Sequence, residues 1–301
     1  MNRVAPSALL DPAVLAGIDD LALLSRMIVD GFVSGTHRSR QTGLSLDFAQ
    51  HRVYQPGDDL RRIDWRLYGR TDKFFLKTYE AETNADVLVA LDVSASMDFG
   101  SGALTKFRYA RILLAALAWL ARRQGDRVGF VPLGGADLAG IIPPASRHLP
   151  LVLEALSRLV PEGSVALGEA LGRLARMAGR TGILVVVSDC YDDAGAIQHG
   201  VGALQARGWD VVLFHVLDPA ERDFDYEAPD TFADLETAAR LAVDPGEVRA
   251  AYNAAIDNHI TALRTLVGDG GADYLPLTTD QPLDGALRQW LERRHRPVGG
   301  R

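Results

Sequence analysis

Short apolar runs rich in β-branched residues recur along this chain, each followed by a stretch with helical spacing, and that alternation constrains the fold more than any other feature. Asp86–Leu91 (DVLVAL), Arg127–Leu133 (RVGFVPL), Gly182–Ser188 (GILVVVS), Asp210–Val216 (DVVLFHV) and Ala272–Pro276 are predicted strands. Thr105–Gln124, Arg147–Val160, Leu167–Gly179, Ala194–Arg207, Pro245–Val267 and Leu283–Arg293 are predicted helices. Strands that are apolar at successive positions must be covered on both faces. That requirement points to a doubly wound α/β fold, a mostly parallel sheet with helices on each side. Right-handed crossovers are expected, and the functional crevice of such a sheet lies beyond the carboxyl ends of its strands.

Two regions break the rhythm. The first 84 residues hold a helix at about Ile18–Val29 and short strand-like pieces, and are predicted to form an N-terminal flanking subdomain. The α/β domain then spans 85–293, with a small hairpin insertion at about 222–244, and 294–301 is a polar tail.

The chain has 301 residues, of which 48% are hydrophobic, enough to bury a sizeable core. Its net charge of -7 argues against charge-driven nucleic-acid binding, which needs a basic footprint. The lone Cys190 rules out an internal disulfide. The amino-terminal stretch is interrupted by Asp11, Asp19 and Asp20, unlike a signal peptide. The longest apolar run, Ile112–Ala121, is half a membrane span and is flanked by arginines, so it reads as a buried helix. A cytoplasmic protein without membrane insertion is expected.

The first central strand runs into Asp92-Val93-Ser94-Ala95-Ser96, which places three oxygen-bearing side chains at alternate positions of one loop. A second buried strand ends in Ser188-Asp189. In a parallel sheet both ends open on the same edge. Hard oxygen donors of this kind suit Mg²⁺ (or Mn²⁺). The simpler alternative is that Asp92 and the serines cap the following turn and helix.

ALDVSASM, a long helix and a later VVVSDC together resemble the metal-ion-dependent adhesion site of von Willebrand factor A domains. The resemblance implies that Asp92, Ser94, Ser96 and Asp189 hold the ion, which a partner's carboxylate then completes. That family also uses a threonine from a middle loop. Here Val165 stands in its place and cannot ligate, leaving the adjacent Ser164 as a weak substitute.

A further block, Arg52–Trp65 (RVYQPGDDLRRIDW), precedes the first strand. With Lys77–Glu82 (KTYEAE) and Asp234-Leu235-Glu236, it resembles the bacterial von Willebrand A-like family known as domain of unknown function fifty-eight. The resemblance runs from about Leu21 to Leu291. It implies a MoxR-type AAA+ ATPase as partner and no settled activity. Arg61, Arg62, Asp64, Trp65 and Arg66 interleave charges of both signs with apolar residues. They can form an ion-paired clasp between subdomain and sheet, since buried charge must be paired, or a docking surface. Acidic neighbours dilute the field that nucleic acid would need.

Other candidates carry less. Cys190 as a nucleophile would need a base, and His199 is nearest in sequence; a small buried hydrophobe is the alternative. Asp192 and Asp193 read as caps of the helix starting near Ala194. The seven histidines show no zinc-type spacing, and no phosphate-binding glycine motif follows a strand. Three functions follow: a non-catalytic interaction module with a cation site, a metal-free scaffold, and a metal-dependent hydrolase using Asp192, Asp193 or His199 as base.

Overall fold

A computed structural model describes residues 11–39, 51–53, 68–69, 74–77, 85–134, 140–177, 179, 181–228 and 230–294. The chain opens with α1 (Pro12–Leu15) and α2 (Leu21–Ser39), then a short antiparallel pair, β1 (His51–Val53) with β2 (Phe75–Lys77). The five predicted strands follow as β3 (Asp86–Asp92), β4 (Arg127–Leu133), β6 (Ile183–Ser188), β7 (Asp210–Leu217) and β10 (Asp273–Thr278). They run parallel in the order β10-β7-β6-β3-β4. β5 (Ile142–Ala145) adds an antiparallel edge beside β4.

The strands are buried on both faces, as their composition requires. In β3, Val87, Val89 and Leu91 face one helical layer, while Leu88 and Ala90 face the other. The first layer contains α3 (Lys106–Arg123), α4 (Leu149–Arg158) and α9 (Asp284–Arg294). The second contains α5 (Leu167–Met177), α6 (Ala194–Gln205) and α8 (Pro245–Asp269). The run Ile112–Ala121 lies inside α3, sandwiched between the sheet and α2, so nearly every face of that helix is apolar and covered. Among the described residues no helix is long and apolar enough to cross a membrane.

Three features differ from the sequence expectation. α2 starts at Leu21 rather than Ile18, because Asp20 accepts from Leu23 N at 2.9 Å and sets the first turn there. It also runs on past Val29 to Ser39, and packs through Leu24, Ile28 and Phe32 into the same core as α3. β5 is a strand despite Pro143 and Pro144, since an edge strand needs no N–H on its solvent side and its ladder to β4 is irregular between Val128 and Phe130. Gly129 of β4 permits its approach; a Cβ there would lie 2.5 Å from the Ile142 carbonyl oxygen.

α5 and α6 are also brought together by glycine. A Cβ on Gly168 would lie 2.5 Å from the Ala196 backbone, and one on Gly200 would lie 2.5 Å from the Gly168 carbonyl oxygen. Between β7 and α8 come α7 (Pro219–Asp223) and an antiparallel hairpin, β8 (Asp230–Ala233) with β9 (Arg240–Val243).

β3 leads through α3 to β4 on one side, whereas β6 flanks it on the other. The winding direction therefore reverses between β3 and β6, and their carboxyl ends flank the crevice where this fold class binds ligands.

Candidate functional site

The β3–β6 ladder pairs Leu91 with Val187, so Asp92 and Ser188 emerge side by side. Ser188 Oγ donates to Asp92 Oδ2 at 2.6 Å, and Ser94 N donates to Asp92 Oδ1 at 2.9 Å. Ser94 Oγ and Ser96 Oγ are 3.0 Å apart. Adjacent strands lie about 4.8 Å apart, which keeps Asp189, one residue past Ser188, within about 10 Å of Asp92. Asp92, Ser94 and Asp189 are each 2% exposed, so both carboxylates are almost wholly out of water. Burial first, and then the neighbouring Asp189, push the Asp92 carboxyl up to about 7.

Sequence reasoning passed over the group that dominates the electrostatics here. Lys106, the first residue of α3, is fully buried, and its Nζ donates to Asp189 Oδ2 at 2.8 Å and to Glu221 Oε1 at 2.7 Å. It also lies over the Tyr191 ring, 4.9 Å from the centroid. Burial alone would lower its pKa, but Asp189 and Glu221 outweigh it and leave it raised, so the ammonium stays charged. Glu221 is held in turn by α7. Its Oε2 accepts from Asp218 N at 3.0 Å, and Asp218 accepts from Ala220 N, closing a reciprocal cap. Locally the sequence shows only Asp-Pro-Ala-Glu after a strand, a helix-cap signal; nothing in it ties that segment to Lys106.

The middle loop is tied to the first one by its backbone. Glu162 N donates to the Val93 carbonyl at 2.7 Å, and Ala95 N donates to the Gly163 carbonyl at 2.9 Å. Ser164 lies exposed on this loop, and Val165 packs against the second core layer. Asp193 caps α6 through Ala196 N. Asp192, in contrast, reaches across to α5, taking Gly168 N on Oδ2 at 2.9 Å and Asp193 N on Oδ1 at 2.7 Å. Both its oxygens are thus engaged, and His199 is exposed on α6. Cys190 is fully buried at φ 56°, with its thiol pushed well up, first by burial and then by Asp189 and Asp92. His215 is buried in β7 with Nδ1 2.5 Å from Tyr274 Oη, and burial pulls its pKa down to about 3. Arg61, Arg62, Asp64, Trp65 and Arg66 lie outside the described residues.

The hairpin reaches the site with its tip. Asp234 Oδ1 accepts from Glu236 N at 2.8 Å and from Thr237 N at 3.1 Å, which fixes the turn. Phe232 stacks on Phe224 at 5.6 Å and meets Tyr226 edge-on at 4.9 Å, which anchors β8 to the segment after α7. Between the hairpin, α7 and α8 lies a cleft of about 390 Å³, whose walls include Ser96, Tyr191, Glu221, Tyr252 and Glu236. Partial burial raises the Glu236 pKa, against a hydrogen bond with the Ser96 side chain that lowers it.

This donor set suits a hard divalent cation. Asp189 and Glu221 pair with the one ammonium, and Asp92 and Glu236 each feel the charge of Asp189, so carboxylates outnumber cations and every uncommitted donor is an oxygen. Among the described residues no three His, Cys, Asp or Glu side chains converge as a metal cage. The hydroxyls of Ser94 and Ser96 would therefore share the shell with the carboxylates and water.

Comparison with known proteins places this geometry in a family. The family described as "Protein of unknown function DUF58" matches residues 50–262. Uncharacterized protein Rv1480 of Mycobacterium tuberculosis is 29% identical over 291 residues, covering 93% of this chain and 87% of that protein. Uncharacterized protein Mb1516 of Mycobacterium bovis matches to the same extent. The crystal structure of the conserved hypothetical protein BatB from Bacteroides thetaiotaomicron superposes with a TM-score of 0.50 at 19% identity, covering 71% of this chain and 100% of that one. The VWA domain of SpRpn10 has a TM-score of 0.46 at 11% identity, covering 69% and 95%. The chain belongs to the DUF58 family and carries a von Willebrand A-like α/β fold.

Proposed function

We propose that this chain is a non-catalytic, cytoplasmic protein-interaction module. In it Asp92, Ser94, Ser96 and Asp189, with Ser164 as a weak additional donor, hold Mg²⁺ or Mn²⁺. The observation that carries this reading is the convergence, at the reversal point of the sheet, of two buried carboxylates and two hydroxyls from loops distant in sequence. A bound ion would supply a positive centre able to accept a carboxylate from a partner. The chain's own residues orient the donors: Ser188 and Ser94 N fix the Asp92 carboxylate, and Lys106 fixes that of Asp189. Family resemblance makes a MoxR-type AAA+ ATPase, or its client, the partner to test. The bases a hydrolase would have drawn on support it poorly, since Asp192 and Asp193 serve as helix caps.

The test is calorimetry with Mg²⁺, followed by pull-down of the ATPase with the Asp92→Asn variant, which keeps the side chain's shape and one acceptor oxygen. Heat on titration and loss of the partner in the folded variant are expected. Unchanged pull-down would count against the site.

A second reading, a metal-free scaffold, is favoured by Lys106, whose ammonium already supplies a cation to Asp189. It predicts no heat and no thermal shift at millimolar Mg²⁺.

A further inference from the structure

The hairpin carries an acidic residue to the same site, and nothing in the fold requires that of it. Its strands pair over only four residues each, and most of its residues are exposed, so its position is set by few contacts. One is the aromatic anchor of Phe232 on Phe224 and Tyr226. Another is its tip, where Asp234 holds the backbone N–H groups of Glu236 and Thr237 and thereby presents Glu236 to the wall of the cleft that also contains Ser96.

Ser96 is a hydroxyl 3.0 Å from Ser94 Oγ, and it lines the same cleft as the Glu236 carboxylate. A hydroxyl oxygen that ligates a divalent cation spends a lone pair on the ion and becomes a stronger donor. Its proton then needs an acceptor, and a carboxylate is the strongest one a protein can offer. Removing such an outer-sphere acceptor typically costs about 10–100-fold in metal affinity.

We propose that Glu236 is a positioning residue of the cation site: it accepts the hydrogen bond of Ser96 when Ser96 ligates the ion, and so couples loading of the site to closure of the β8–β9 hairpin over it. This rests on the cation reading given above and extends it in two ways. Where Val165 withholds a ligand, the hairpin supplies an outer-sphere acceptor that supports the remaining ligands from outside the ligand loops. The partner's carboxylate must also approach past the hairpin tip, so the closed hairpin and the partner compete for one space. The ligand class is a divalent cation with a preference for oxygen donors.

The experiment is titration of the full chain with Mn²⁺, following free ion by electron paramagnetic resonance. Hydrogen–deuterium exchange of residues 230–243 is measured in parallel, with and without Mg²⁺. Wild type is compared with Asp92→Asn, Glu236→Gln, Glu236→Asp and, as a charge control, the exposed Glu154→Gln. We expect Glu236→Gln to weaken Mn²⁺ binding by about tenfold or more. Glu236→Asp should recover part of that loss, and Glu154→Gln should bind as wild type does. Mg²⁺ should slow exchange at the hairpin tip in wild type and not in Glu236→Gln. Wild-type affinity in Glu236→Gln, or hairpin exchange indifferent to Mg²⁺, would overturn the role of Glu236 while leaving the cation reading intact. No Mn²⁺ binding by the wild type would overturn both.

Discussion

At the scale of single residues, Lys106 carries the largest energetic consequence. Its ammonium is enclosed with two carboxylates, so removing it leaves Asp189 and Glu221 buried and unpaired. Lys106→Met is expected to lower unfolding free energy by about 3–5 kcal/mol, measured by urea denaturation. Breaking the exposed Glu154–Arg158 pair, shorter still at 2.6 Å, is expected to cost less than about 1 kcal/mol in the same assay, because water already solvates both ends. Cys190 illustrates burial acting on reactivity. Its thiol is wholly enclosed and held protonated, so a thiol reagent such as DTNB should label the chain only after denaturation, at a rate that follows unfolding. Prompt labelling of the native protein would contradict the packing. Asp92 and Asp189 stood out in the sequence because each closes an apolar strand. Lys106 and Glu221 did not, because pairing across 115 positions leaves no local pattern.

Among the elements, the α5–α6 contact makes opposite predictions for two glycines on one helix. At Gly200 a methyl group would lie 2.5 Å from the Gly168 carbonyl oxygen, so the helices must part. Gly200→Ala should destabilise by about 1–3 kcal/mol, read from the shift in denaturation midpoint. At Gly202 a methyl group meets nothing within 4 Å. Gly202→Ala should stabilise by about 0.5–1 kcal/mol through helix propensity and a less flexible unfolded chain. Most helix and strand boundaries were legible to within one or two residues, because apolar runs and caps coincide there, as at Thr105 and Asp193. What escaped were elements without such a signal. β5 holds two prolines, and α7 has five residues with no buried side chain, so neither shows periodicity.

Taken whole, the molecule was legible because β3, β6 and β7 are apolar on both faces, which admits few architectures. The site was less so. Sequence placed its two acidic strand ends on one edge, but the approach of the hairpin is a tertiary matter that no spacing of Asp234-Leu235-Glu236 discloses. The overall charge of -7 makes a prediction at this scale: in about 0.15 M salt, where the Debye length is about 8 Å, the chain should not retard duplex DNA in a gel-shift assay. The paired prolines of β5 also have an outcome beyond the single molecule. Pro143 and Pro144 strip two N–H groups from the sheet's outermost strand on that side. A foreign strand arriving there would find a broken ladder, so that border of the sheet is closed to fibre-like stacking between copies even when the protein is crowded.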